Sequence, residues 1–120
     1  MDAGSSPVGR TIAPAELGFF THYVIVRADL PLGVIVAQTI HAAGESSPGP
    51  GLPTGTRAVA LAARNERHLA TLEQELIGLD IPHRAIREPD RFNELMAIGI
   101  FPVADRTTLQ TVTKRLRLLR

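Results

Sequence analysis

The segment His22 to Arg27, HYVIVR, most limits the folds open to this chain, because a helical segment follows it almost at once. β-branched residues dominate the segment, which is typical of a buried strand. Pro31 and Gly33 mark a turn, and apolar residues then recur at helical spacing from Leu32 to about Ala43. A strand joined to a helix by so short a turn predicts a layered α/β fold.

The alternation of strands and helices continues after a loop. Gly44 to Thr56 is rich in glycine, proline and serine, so we expect no helix or strand there. Arg57 to Ala63 is predicted as the second strand. A helix N-capped by Asn65 and ending at Gly78 follows, and Ile81 to Glu88 is predicted as the third strand. Such short joints predict a right-handed unit whose two strands run parallel.

The remaining segments complete one small sheet. A fourth strand is predicted near Leu95 to Phe101, and Asp105 is predicted to cap a last helix that continues through Leu116. The fold class that follows is a compact α/β three-layer sandwich with a mixed four-stranded sheet, in the order β-α-β-α-β-β-α. We expect the first helix to lay one face on the sheet, formed by Leu32, Ile35, Val36, Thr39, Ile40 and Ala43.

Length and composition fit one domain. The 120 residues are 44% hydrophobic and 21% charged, and the sequence predicts a flexible leader over residues 1–20 and a single domain over residues 21–120. The chain has no cysteine, which excludes disulfides and thiolate metal sites. No apolar run reaches the roughly 20 residues that a bilayer needs. We expect a cytoplasmic protein with no membrane span, no metal and no cofactor.

Three polar residues interrupt the apolar pattern of the first helix in register. Gln38, His41 and Glu45 are three, four and seven residues apart, so they share one side of the helix. Histidine side chains serve as acids or bases near neutral pH, so His41 is a candidate for that role. Glu45 is a candidate to orient His41, and Gln38 is a candidate to place a substrate. The alternative is that all three simply face solvent.

The segment REPDRFNE, from Arg87 to Glu94, joins the third and fourth strands. Loops at strand ends often carry functional residues. Glu88 is therefore a candidate carboxylate base and Arg91 a candidate phosphate clamp. Asp90 and Asn93 are equally well explained as ordinary turn residues.

Basic residues concentrate near the end of the chain, although the net charge is only +1. Lys114, Arg115 and Arg117 are followed by Arg120. Guanidinium groups match phosphate oxygens, so this cluster is a candidate RNA contact. The alternative is a solvated basic helix end that complements the helix dipole.

Two stretches of the chain resemble a known family. VIVRADLPLGVIVAQTIHAAGES resembles the V-V-R-x-D-L and G-K-x-A-A-Q-x-x-H-A patterns of type II peptidyl-tRNA hydrolases, the archaeal and eukaryotic type. The stretch from IREPDRFNEL to the closing VTKRLRLL resembles that family's I-x-D-A-G-R-T-Q, G-I-G-P and V-T-x-x-L-x-L patterns. The likeness extends over about residues 23–119, with gaps in the middle.

The resemblance implies a homodimer that hydrolyses the ester between a peptide and the terminal ribose of tRNA. Gln38 and His41 match the family's glutamine and histidine, Arg91 matches its arginine, and Glu88 stands where an aspartate is expected. Asn93 replaces a family glutamine. We therefore expect His41, Glu88 and Gln38 as catalytic residues, and substrate or RNA contacts from Arg91, Asn93, Arg27, Glu45, Lys114, Arg115 and Arg117.

The family lysine is replaced by Val34, which carries no charge. If the chemistry is retained, another cation must stabilise the developing oxyanion or hold a phosphate. Arg91 is the first candidate and Arg27 the second. The alternatives are a non-catalytic RNA- or small-ligand-binding module of the same fold, and a ferredoxin-like or amino-acid-sensing regulatory domain.

Overall fold

A computed structural model describes residues 20–120 of the chain, so the predicted leader lies outside the described residues except for Phe20. Five strands and three helices alternate along this part of the chain, and a 3₁₀ turn at Pro89–Arg91 joins the third and fourth strands. The elements are β1 (Thr21–Arg27), α1 (Leu32–Glu45), β2 (Arg57–Ala63), α2 (Glu66–Gly78), β3 (His83–Glu88), β4 (Glu94–Val103), α3 (Gln110–Thr113) and β5 (Arg117–Leu118).

One mixed sheet has the strand order β3-β4-β1-β2-β5. β1 pairs parallel with β2 and antiparallel with β4, so Ile25 lies between Leu61 and Ile98. β3 pairs antiparallel with β4. β3 and β2 therefore run in the same direction, as predicted, but two strands lie between them. In a ferredoxin-like sheet, the split β-α-β unit has another strand between the two strands that it connects. Here β1 pairs directly with β2, so no strand lies between them.

The α/β class is confirmed, whereas the predicted four strands and their closing helix are wrong at the end of the chain. The last helix covers only Gln110–Thr113, and β5 follows it and pairs antiparallel with Leu61 and Ala62 of β2. Without β5, the outer edge of β2 would have unpaired backbone groups. Sheet pairing thus prevails over the helical spacing of Leu109, Val112 and Leu116.

Helices cover both faces of the sheet. Tyr23 and Ile25 of β1 belong to the apolar cluster that includes Leu69, Leu72 and Leu76 of α2. Val24 and Val26 belong to a second cluster with residues of α1. Because neighbouring residues of a strand point to opposite faces, α1 and α2 lie on opposite sides of the sheet. Within residues 20–120, no helix is long and apolar enough to cross a membrane.

The predicted buried face of α1 is confirmed at Ile35 but wrong at Leu32, Val36 and Ile40. Ile35, Gln38 and Ala42 are buried, so the helix is rotated relative to the face expected from its apolar residues. The displaced residues form an exposed stripe, which we call the α1 stripe: Leu32, Val36 and Ile40, with exposed fractions of 77%, 50% and 68%.

A close approach between α1 and β4 explains this rotation. A Cβ atom at Gly99 would lie 2.2 Å from the carbonyl oxygen of Ala42 and 2.4 Å from Ser46 Oγ. The buried Ser46 Oγ also lies 2.7 Å from His22 Nε2 on β1, and burial lowers the pKa of His22. These contacts hold the end of α1 against the sheet and so determine which side of the helix is buried.

Candidate functional site

The candidate site lies at the edge of the sheet where β1 and β3 end and β4 begins. Glu88 is the last residue of β3 and pairs in register with Glu94, the first residue of β4. Arg27 ends β1, which is the neighbour of β4. Gln38 of α1 lies over this edge and brings the helix into the site.

Gln38 and Glu88, predicted from separate segments, are in contact. Gln38 Nε2 donates a hydrogen bond to Glu88 Oε2 over 3.4 Å, and only 8% of Gln38 is exposed. The amide must present its NH₂ to the carboxylate, because two acceptor oxygens would repel each other. Gln38 Oε1 is buried and has no hydrogen-bond partner among residues 20–120. A buried acceptor without a partner is unfavourable, so this oxygen is available to a donor on a ligand.

Arg27 is held inside this edge by two carboxylates. Its Nε and Nη2 each lie 3.0 Å from an oxygen of Asp29, and its Nη1 donates to Glu94 Oε1 over 2.7 Å. Hydrogen bonding to Asp29 raises the pKa of Arg27, and the bond to Arg27 lowers the pKa of Asp29. Only 7% of Arg27 is exposed. Its donors are thus occupied within the protein, and the structure gives it an internal role in place of the expected substrate contact.

Arg91 remains accessible beside Glu88. Its side chain is 42% exposed, and its Nε lies 3.9 Å from Glu94 Oε1, a loose ion pair. The positive charge of Arg91 also contributes to the lowered pKa of Asp29, after the larger effect of Arg27. Unlike Arg27, Arg91 therefore has room to meet a ligand.

The turn after Arg91 contains two consecutive residues in the left-handed backbone region. Phe92 has φ of 56° and Asn93 has φ of 62°, and Phe92 is 98% exposed. A phenylalanine in this conformation is strained, and such strain concentrates at functional sites. Sequence reasoning missed Phe92. The signal that points to it is a lone aromatic residue within a short polar turn.

Among residues 20–120, neither His41 nor Glu45 makes a hydrogen bond with Glu88. His41 Nε2 lies 3.7 Å from Glu45 Oε2, and both side chains are about half exposed. The stripe expected from helical spacing is thus divided: Gln38 is buried in the site, and the other two residues face solvent. The inward rotation of α1 at Gly99 accounts for the difference.

The basic residues at the end of the chain do not share a helix. Lys114 follows α3 and is exposed, Arg115 pairs with Glu75 of α2, and Arg117 lies on β5. Arg115 and Arg117 instead line a cavity of about 390 Å³, together with two residues that sequence reasoning missed, Arg64 and His68. Across residues 20–120, no group of three or more His, Asp or Glu side chains is arranged to hold a metal ion.

Comparison with known proteins bears on the fold. Neither family models nor curated protein sequences give a match to this chain. The fold is similar to the solved structure of Atu0240, a protein of unknown function from Agrobacterium tumefaciens, with a TM-score of 0.52 and 19% sequence identity. The similarity covers 82% of this chain and 96% of that one. At this identity the likeness establishes a shared fold and carries no information on activity.

Proposed function

We propose that this protein hydrolyses the ester that joins a peptide, or a similar aminoacyl group, to the terminal ribose of tRNA. The observation that carries the proposal is the contact between Glu88 and the buried Gln38, whose Oε1 has no partner among residues 20–120. A carboxylate held by an amide is suited to activate water, and the free amide oxygen is suited to bind a substrate donor. The family resemblance of the two segments supports the same reading.

In this proposal Glu88 is the general base. It accepts a proton from a water molecule, whose oxygen attacks the ester carbonyl carbon. Arg91 stabilises the negative charge that develops on the carbonyl oxygen. The bond between the carbonyl carbon and the ribose oxygen then breaks, and the ribose oxygen takes up the proton that Glu88 accepted from water, which restores the Glu88 carboxylate. Gln38 holds the Glu88 carboxylate through Nε2 and accepts a hydrogen bond from the substrate through Oε1.

Arg91 and Phe92 supply what the site otherwise lacks. Val34 is uncharged and packs against the apolar cluster under α1, and Arg27 is occupied by Asp29 and Glu94. Arg91 is thus the cation left to replace the family lysine. The exposed ring of Phe92 offers a surface on which a base at the end of an unpaired strand stacks.

The test is the release of peptide from diacetyl-lysyl-tRNA by the purified protein. We expect turnover by the wild type and a loss of about a hundredfold in rate for Arg91→Ala, since removal of one electrostatic stabiliser has about that effect. Arg84→Ala is the matched control, because Arg84 is exposed on β3 and its guanidinium carbon lies 5.3 Å from the centroid of the Phe101 ring. A wild-type protein that releases no peptide would contradict the proposal.

A non-catalytic binding role is the second candidate. The uncharged Val34 favours this role, because type II peptidyl-tRNA hydrolases, which the sequence resembles, have a positively charged lysine at this position. In that case the Gln38 amide and Arg91 would bind tRNA without cleaving the ester. Binding of diacetyl-lysyl-tRNA with no release of peptide distinguishes this role from hydrolysis.

We also propose that the protein is a homodimer, assembled through the α1 stripe. Leu32, Val36 and Ile40 are large, apolar and exposed, and they lie on the flank of α1 away from Gln38. The core of the monomer has few aromatic residues, 4% of the chain, so burial of this stripe against a second copy adds stability. The proposed hydrolysis of peptidyl-tRNA, and not the dimer, is the reason that we also propose a cytoplasmic location, where peptidyl-tRNA is found.

Light scattering of the full chain tests the dimer. We expect a dimeric mass for the wild type and a monomeric mass for Val36→Glu, because the substitution places a charge in the middle of the apolar stripe. Ala37→Glu is the control, since Ala37 is exposed on the same helix and lies outside the stripe. A monomeric wild type at tens of micromolar rules out this assembly.

A further inference from the structure

A cavity of about 390 Å³ lies at the carboxyl ends of β1 and β2, and neither Gln38 nor Glu88 lines it. Its small apolar residues are Ala28, which follows β1, and Ala62 and Ala63 at the end of β2. Leu116 is a further apolar lining residue. The remaining lining residues are basic: Arg64, His68, Arg115 and Arg117. Its volume falls within the range of small-molecule sites in proteins.

The basic side chains leave an excess of positive charge at this cavity. Arg115 pairs with Glu75, which neutralises one guanidinium. Arg64 and Arg117 are both exposed, and no carboxylate of residues 20–120 lies within ion-pair distance of either. Two guanidinium groups that have no ion-pair partner within residues 20–120 therefore line the same small space.

His68 adds a neutral donor to this set. Its Nδ1 accepts a hydrogen bond of 3.0 Å from the backbone N–H of Arg64, which places the ring proton on Nε2. Burial and the nearby charges of Arg64 and Arg115 lower its pKa, against a smaller opposing effect of Glu75. The ring is thus neutral at pH 7 and retains one N–H for a ligand.

We infer that this cavity binds the phosphate of a small phosphorylated molecule with a flat apolar part, of the nucleoside monophosphate class. Donors from three separate side chains suit a tetrahedral phosphate, which accepts hydrogen bonds from several sides, whereas a planar carboxylate is matched by one guanidinium fork. Ala28 and Ala62 have short side chains and leave an apolar surface for a ring, whereas Ala63 is fully buried. The inference does not depend on ester hydrolysis at Glu88.

Calorimetric titration of the full chain with AMP, inorganic phosphate and adenosine tests the inference. We expect saturable binding of AMP, weaker binding of phosphate, and the weakest binding for adenosine, which lacks the charged group. Arg64→Gln and Arg117→Gln should each weaken AMP binding about tenfold or more, since each removes a hydrogen bond to a charged group. Arg67→Gln is the matched control, because Arg67 is exposed on the first turn of α2 and does not line the cavity.

Substitution at the floor of the cavity separates the two parts of the ligand. Ala62→Leu adds volume where the ring is expected, so it should weaken binding of AMP more than binding of phosphate. Far-ultraviolet circular dichroism verifies that each variant is folded. Absence of AMP binding at millimolar concentration would overturn the inference, and so would equal losses in Arg64→Gln and Arg67→Gln. Weaker tRNA binding in Arg64→Gln without any AMP binding would also overturn it and assign the cavity to RNA.

Discussion

Replacement of Glu88 by glutamine is expected to reduce peptide release from diacetyl-lysyl-tRNA by at least about a hundredfold. Glutamine has nearly the same shape as glutamate but takes no proton from water at neutral pH, so it removes a general base, whose contribution is typically 10²–10⁴-fold. The Gln38 amide keeps a hydrogen-bond acceptor, because the new side chain still has a carbonyl oxygen. The fall should appear in kcat, measured with saturating substrate, and the thermal unfolding midpoint should change little.

Asp90→Asn is the matched control for this prediction. Asp90 is an exposed carboxylate two residues away, in the Pro89–Arg91 turn, and makes no hydrogen bond or ion pair with its side chain among residues 20–120. We expect its rate to equal that of the wild type. Full activity of Glu88→Gln would show that the base lies elsewhere and would return His41 to consideration as the catalytic group.

Gly99→Ala is expected to destabilise the fold by about 2–3 kcal/mol, which lowers the unfolding midpoint by roughly 10–20 °C. The added Cβ would lie 2.2 Å from the carbonyl oxygen of Ala42 and 2.8 Å from Ser46 Cβ. Neither atom is the end of a flexible side chain, so α1 must move away from the sheet. That movement would also break the contact between Ser46 and the buried His22.

Gly33→Ala is the control for this substitution, because the chemical change is identical and the surroundings differ. Gly33 lies in the first turn of α1, and a Cβ there meets no atom within 4 Å. Alanine in a helix is favoured over glycine, so we expect a gain of about 0.5–1 kcal/mol. Thermal and urea unfolding of the two variants measures both effects. Equal stabilities of Gly99→Ala and the wild type would mean that α1 does not pack this closely on β4.

The positions of the main elements follow from local sequence patterns. The predicted strands at His22 to Arg27 and Arg57 to Ala63 agree with β1 and β2 to within one residue. Asn65 caps α2 as expected, since its side chain accepts a hydrogen bond from the backbone N–H of His68. These features depend on β-branched runs and capping residues, whose effects extend over a few residues only.

The candidate site was predictable in part. The sequence predicts a site that contains Gln38, Glu88 and Arg91. The fold brings Gln38 into contact with Glu88, 50 positions further along the chain. The engagement of Arg27 by Glu94 was not predictable, because these two residues are 67 positions apart. A lone arginine at a strand end looks the same in sequence whether it meets a substrate or an internal carboxylate.

The sequence by itself determined the α/β class, the approximate bounds of β1, α1, β2, α2 and β4, and the common direction of β2 and β3. Only the tertiary structure decided which side of α1 is buried, that the chain ends in a strand, and that Arg64 and His68 join the basic residues near the carboxyl end. The physical reason is the range of the interactions. Apolar periodicity acts along one element, and α1 is apolar on more than one side, whereas the close packing of Gly99 on Ala42 joins residues far apart in sequence.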